Sequence, residues 1–319
     1  MSDTRTPSAK RKRSETVIDE GPTTRSHIWM PHGDIILQAE STQFRVHRDI
    51  LAKESDALRD MFSSLPSTTD KMVVKMPGDS AKDWELFLGV LYEPFKDQEM
   101  RPFDEIAAML RLGSKHGISA AEANAVQRIQ YEYPDKLDAW IEATGRDFTK
   151  IEHHNGVELD VLALAHEFGF SSFPIIAYNC LDIYSLDSIF LGMIERPDGS
   201  RVTLPPHLES FLVAGFAQIM RFQHKSYSWL TDDKVIPCHS CKGPDNCAGA
   251  RDKLHAFLAW NQSADAPGCF ALDVWTEEWS LDFCDGCAKA GKKAFDSTRT
   301  KAWEALPGFF GIRRLDDTE

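Results

Sequence analysis

The stretch from residue 33 to residue 76 constrains this chain more than any other. In GDIILQAESTQFRVH (33–47), Ile35, Leu37 and Ala39 alternate with other side chains, and Phe44 and Val46 alternate again. A period of two marks a strand with one buried face, so two strands around a polar turn at 40–43 are expected. The period then changes. In RDILAKESDALRDMFSS, Ile50, Leu51, Leu58, Met61 and Phe62 fall at helical spacing, and Ser55 and Asp56 offer an N-cap between two short helices. KMVVKM (71–76) reads as a third strand, closed by Pro77-Gly78.

From Ser80 the pattern is helical. Trp84, Phe87, Leu88 and Leu91 share one face of a helix that Pro94 ends. Residues 103–116 carry Ile106, Met109, Leu110 and Leu112 on another face, with Gly117 as the stop, and 120–133 form a further helix closed by Pro134. Residues 135–230 continue mostly helical, most clearly over 157–168, 174–184 and 208–223, with a turn at Pro197-Asp198-Gly199.

The formal net charge of −13 disfavours non-specific binding of the body of the protein to nucleic acid or anionic membrane. No apolar run approaches the roughly 18 residues that span a bilayer, and the N-terminus lacks the apolar stretch of a secretory signal. A nuclear or cytoplasmic, reducing setting is therefore expected. Residues 1–27 are polar and without period, and are expected to be a disordered basic tail. Its run Lys10, Arg11, Lys12, Arg13 reads either as a nuclear localisation signal or as a plain solvated tail.

The segment HGDIILQAESTQFRVHRDILAKESDALRDMFSS, together with the later LRLGSKHGI, resembles the BTB/POZ domain over about residues 30–133. The signature positions are Asp34, Phe44, His47 and Ser55, with Leu51 and Met61-Phe62 on the helices. A turn at Arg196-Pro197-Asp198-Gly199, the late Cys-x-x-Cys and the terminal LPGFFGI are similar to the large fungal, basidiomycete-type group of BTB proteins. The resemblance implies protein–protein association: self-association or pairing with another BTB protein, in some members as an adaptor for a cullin-type ubiquitin ligase or as part of a transcription regulator. It makes Ile50, Leu51, Leu58 and Phe62 the candidate dimer interface. Asp34 and His47 match a polar pair of the family, expected to fix a strand-to-helix junction by hydrogen bonding to one another. Only Ile28, Trp29 and Met30 stand ready ahead of the first expected strand, which argues against a strand-exchanged dimer.

Six of the seven cysteines fall in 231–319. Cys238-x-x-Cys241 and Cys284-x-x-Cys287 are two chelating pairs, because a two-residue spacer lets both thiolates of one turn face one ion, and two such turns complete a tetrahedral zinc shell. Cys247 is the alternative ligand. The 42 residues between Cys241 and Cys284 exceed the roughly 15–20 of compact zinc motifs. Three readings stay open: a structural zinc site, reduced thiols packed as small hydrophobes, and a redox-active pair. A basic stripe on the last helix (Lys289, Lys292, Lys293, Arg299, Lys301) reads as a solvated face, and nucleic acid is not an expected partner.

Nucleophile elbows, phosphate-binding glycine loops and metalloprotease helices do not occur in the sequence, and no catalytic residue is assigned. The expected architecture is α+β: a tail (1–27), a BTB/POZ domain of short strands and helices (28–133), a mostly helical extension (134–230) and a Cys-rich C-terminal part (231–319). The expected role is a protein-interaction module, not an enzyme. The alternative is a nuclear transcription-regulatory protein whose zinc-stabilised C-terminal part touches nucleic acid.

Overall fold

Four strands assemble into one sheet in the order β1-β3-β2-β4: β1 (Thr24–Trp29), β2 (Ile35–Ala39), β3 (Thr42–Val46) and β4 (Met72–Lys75). The computed structural model describes residues 22–65, 72–92, 100–231, 234–260 and 269–312; the basic run at residues 10–13 lies outside the described residues. β2 and β3 form the expected antiparallel hairpin, with Leu37 opposite Phe44 and Ile35 opposite Val46. The chain reverses at Glu40, whose φ of 50° is left-handed. Ile35, Leu37, Ala39, Phe44 and Val46 are all fully buried on one face, which is why their alternation is visible in the sequence.

β1 departs from expectation. It lies parallel to β3 and begins at Thr24, inside the segment expected to be a disordered tail to residue 27. Only Ile28 of its six residues is buried, so it carries no alternation to detect.

The helical hairpin follows as expected, with α1 (Arg48–Glu54) and α2 (Asp56–Ser63) joined through an extended Ser55. Ser55 Oγ accepts the Leu58 N–H at 3.0 Å, capping α2, and donates to the His116 carbonyl at 2.5 Å. α3 (Ala81–Tyr92) packs against β1 and β2 of the sheet, α4 (Phe103–His116) against α3, and α5 (Ser119–Glu132) against α4. Trp84, Leu88, Ile106, Leu110 and Ile129 fill the layer between them. Gly117 ends α4 in the left-handed region at φ 67°, a position that favours glycine.

The rest is helical: α6 (Leu137–Thr144), α7 (Val157–Glu167), α8 (Phe173–Ile183), α9 (Leu186–Phe190), α10 (Pro206–Ser226), α11 (Pro244–Trp260) and α12 (Asp285–Phe309). One apolar core runs from the sheet through α7, α8 and α10 and continues to Ala302, Leu306 and Phe310 at the end of α12. The part beyond residue 230 is thus built into the body. Tyr178 Oη donates to the Cys269 carbonyl at 2.5 Å and accepts the Leu272 N–H at 3.1 Å, tying the following loop to α8. The middle of α12 gives Phe295 to a second aromatic cluster with Tyr227 and Trp275, and its first turn gives Cys287 to a third, with Ile236 and Cys247. α10 meets the end of α12 at Gly215, where a Cβ would lie 2.1 Å from Phe310 Cε1. Among the described residues no helix is long and apolar enough to cross a membrane.

Candidate metal centre and interaction surface

The first turn of α12 is where the cysteine chemistry collects. Cys284 is the extended N-cap and Cys287 sits one turn in, with its side chain fully buried. Cys238 and Cys241 bracket a tight turn closed by the Cys241 N–H to the Cys238 carbonyl at 2.9 Å. Cys247 comes from the first turn of α11 and is buried.

The sulfurs of Cys241, Cys247, Cys284 and Cys287 all lie within 4.8 Å of one another, and those of Cys241 and Cys284 are 3.8 Å apart. Four thiolates at ~2.3 Å from one tetrahedral zinc ion stand about 3.8 Å from each other, so this quartet is close to the spacing such an ion requires. The two Cys-x-x-Cys pairs of the sequence do not supply all four positions. Cys247 stands in the quartet, and Cys238 stands beside it. Backbone amides also point at the sulfurs: Cys238 N–H donates to Cys287 Sγ at 3.2 Å and Cys284 N–H to Cys247 Sγ at 3.4 Å. Such donors orient and stabilise thiolate ligands. A cysteine spacing rule reads only local turns; the place of Cys247 follows from how α11 packs, which spacing does not encode.

The quartet's thiols differ in acidity. The Cys287 backbone N–H and the neighbouring thiols pull Cys284 down to about 6, against the opposing effect of desolvation. Burial pushes Cys287 well up. Cys241 is raised as well: the Gly243 N–H favours its thiolate, and desolvation and the Cys247 thiol outweigh that. One thiol gives up its proton readily, while desolvation and hydrogen bonds among the thiols favour the protonated forms of Cys287 and Cys241. A divalent cation held among the four sulfurs would supply the positive charge that favours their thiolate forms.

In the N-terminal part, the signature residues hold junctions. Phe44 is fully buried in the sheet's inner face, and Ser55 caps α2. Asp34 and His47 do not bond to each other. The exposed Asp34 accepts the Arg48 N–H at 2.8 Å, anchoring the start of α1. His47 N–H donates to Tyr92 Oη at 3.0 Å, and its Nδ1 lies 3.1 Å from the same hydroxyl. The two residues fix the β3–α1 junction through separate partners.

The candidate dimer residues need a correction. Leu51, Leu58 and Phe62 are at most 1% exposed and belong to the domain's own core; only Ile50 reaches the surface. Their helical spacing identifies the stripe that faces the sheet, and a stripe cannot also face a partner. The exposed apolar side chains of this region are Ile50, Met61 and Val73.

Sequence reasoning missed a polar hub. Asp79, in the turn before α3, is almost wholly buried. It accepts from Trp84 Nε1 at 2.8 Å, from His116 Nε2 at 2.7 Å and from the Lys115 ammonium. This carboxylate joins the β4–α3 turn to the end of α4, and the Ser55 bond to the His116 carbonyl adds α2. Lys115 and His116 lie 36 and 37 residues from Asp79, with no local signal to link them to it.

With strands, hairpin and helices in place, the described residues up to Glu132 define the class of this part: a small mixed sheet capped by helices. The family model for the BTB/POZ domain matches residues 31–132, from just before β2 to the last residue of α5. The chain therefore carries a BTB/POZ domain, and such domains are protein-interaction modules. No curated protein matches the chain.

Proposed function

We propose that this chain is a protein-interaction protein with two working parts: a BTB domain (28–133) that pairs with itself or another BTB protein, and a helical extension (134–230) that carries a zinc-braced C-terminal part (231–319) offering a second partner surface. In the adaptor version the BTB face takes a cullin and the C-terminal part chooses the substrate. The observation that carries the reading is the BTB/POZ match, whose bounds coincide with the elements from β2 to α5. The zinc proposal is supported by the quartet's sulfur spacing and by the amides directed at Cys247 and Cys287. The metal's role is structural: four thiolates leave no open coordination position for a substrate. It pins the starts of α11 and α12 together. The basic run at residues 10–13 is the proposed import signal.

The pairing surface centres on Ile50 and Met61, which are exposed on α1 and α2 at 36% and 37%. Sedimentation velocity over a concentration series tests this. The wild type should reach twice the chain mass, while Ile50→Asp and Met61→Asp stay at the mass of one chain with unchanged circular dichroism. A wild type that remains a single chain throughout would remove the self-pairing reading, and titration with a purified cullin N-terminal domain then decides the adaptor version.

A further inference from the structure

Five cysteines converge on the start of α12, and a tetrahedral ion takes four. We propose that Cys238 is the odd thiol, a modification site whose oxidation unseats the metal by capturing Cys287. The proposal rests on the zinc reading above and adds to it the means by which the site would be opened.

The geometry singles out Cys238 in two ways. Its sulfur is outside the group of four that lie within 4.8 Å of one another. Like Cys241 and Cys284 it is half-exposed, with Ser240 Oγ at 3.7 Å, so an oxidant can reach it. It also abuts Cys287: the Cys238 N–H donates to Cys287 Sγ at 3.2 Å, and the two side chains are close enough to affect each other. The Cys238 sulfur fits against the first turn of α12 because residue 286 is glycine; a Cβ there would come within 2.9 Å of it. The other two cysteines, Cys180 and Cys269, are almost wholly buried far along the sequence and are inaccessible competitors.

The oxidant is a hydroperoxide, in the simplest case hydrogen peroxide. Cys238 thiolate attacks one peroxide oxygen, the O–O bond breaks, and hydroxide leaves, to be protonated to water; Cys238 is now a sulfenic acid. The Cys287 sulfur then attacks the Cys238 sulfur, the S–S bond forms, the S–O bond breaks, and a second hydroxide leaves and is protonated. Two thiols lose two electrons and one peroxide gains them, giving two waters. Cys287 can no longer ligate, and three thiolates hold the ion less firmly than four.

The test uses the full chain, purified with its zinc. Brief N-ethylmaleimide treatment at neutral pH, followed by peptide mass mapping, should alkylate Cys238 ~10-fold faster than any quartet cysteine, with zinc retained. Hydrogen peroxide should then produce a peptide cross-linked through Cys238 and Cys287 and release zinc to a chromophoric chelator. Cys238→Ser and Cys238→Ala should release it ~10-fold more slowly. Preferential labelling of Cys247 with Cys238 protected, or equal peroxide-driven release from the Cys238 variants, would overturn the proposal and leave the zinc site standing. A chain that neither contains nor takes up zinc overturns the metal reading instead; in that chain the Cys238–Cys287 cross-link still decides the thiol pairing, its presence supporting it and its absence refuting it.

Discussion

Replacing Asp79 by alanine removes the acceptor shared by three donors, and the structure says which losses count. The Trp84 indole N–H, bonded at 2.8 Å, is on a fully buried ring. His116 Nε2, at 2.7 Å, must carry the proton, since a carboxylate only accepts. A buried donor left without a partner costs ~1–3 kcal/mol. Lys115, with 46% of its side chain exposed, turns to water and contributes little. The two donors sum to ~2–6 kcal/mol, which brackets the ~3–5 kcal/mol expected when one member of a buried charge network is deleted, and is a large share of the ~5–15 kcal/mol that holds a domain folded. Urea unfolding followed by circular dichroism measures it, with Lys115→Met as the control expected to lose under ~1 kcal/mol. The pH dependence follows. Burial alone would raise the Asp79 carboxyl, but hydrogen bonds from Lys115, Trp84 and His116 outweigh it and hold the group below its ordinary 3.8. An acid depressed in the folded state stabilises above its unfolded pKa, and that stability is lost as pH falls through the folded value. The gap between wild type and Asp79→Asn should therefore be constant above about pH 4 and narrow below it. A loss under ~1 kcal/mol for Asp79→Ala, or an equal loss for Lys115→Met, would refute the hub.

Three further outcomes are expected. Gly215→Ala forces a methyl to 2.1 Å from Phe310 Cε1 and should cost ~1–3 kcal/mol in thermal unfolding, with most of it recovered in a Gly215→Ala, Phe310→Leu double variant. Burial, reinforced by Asp182, pushes Asp273 up to about 7. A raised acid binds protons better folded than unfolded, so stability falls as pH rises from ~4 to ~7; Asp273→Asn should stabilise the chain at pH 8 and leave it unchanged at pH 4, as read by denaturation midpoints. Cys247→Ser should lower bound zinc to under about a tenth of the wild-type content at equal free metal, as read by elemental analysis.

The hairpin of β2 and β3 was legible in the sequence because one face of each strand is wholly buried, so burial imposed its period on residues 35–46. The Ser55 cap was legible because capping is local. β1 was not, since an edge strand with Ile28 as its single buried residue has no period to show. The dimer residues failed for a related reason: Leu51, Leu58 and Phe62 announce an apolar stripe, and periodicity does not say whether a stripe faces its own sheet or a partner. The cysteines showed that a cluster exists and where it begins. Which four sulfurs meet depends on how α11 is held against the segment that carries Cys238 and Cys241, through contacts such as Arg251 Nη1 to the Ile236 carbonyl at 2.8 Å, between residues the spacing rule does not consider. The shared core at the end of α12 was hidden likewise, because Ala302 and Leu306 mark a buried face without naming the core it enters.

Native mass spectrometry of the full chain weighs both parts of the account in one spectrum, since it counts chains per particle and metal ions per chain. The account predicts a particle of two chains with one zinc ion in each. A metal-free single chain at every concentration would contradict it.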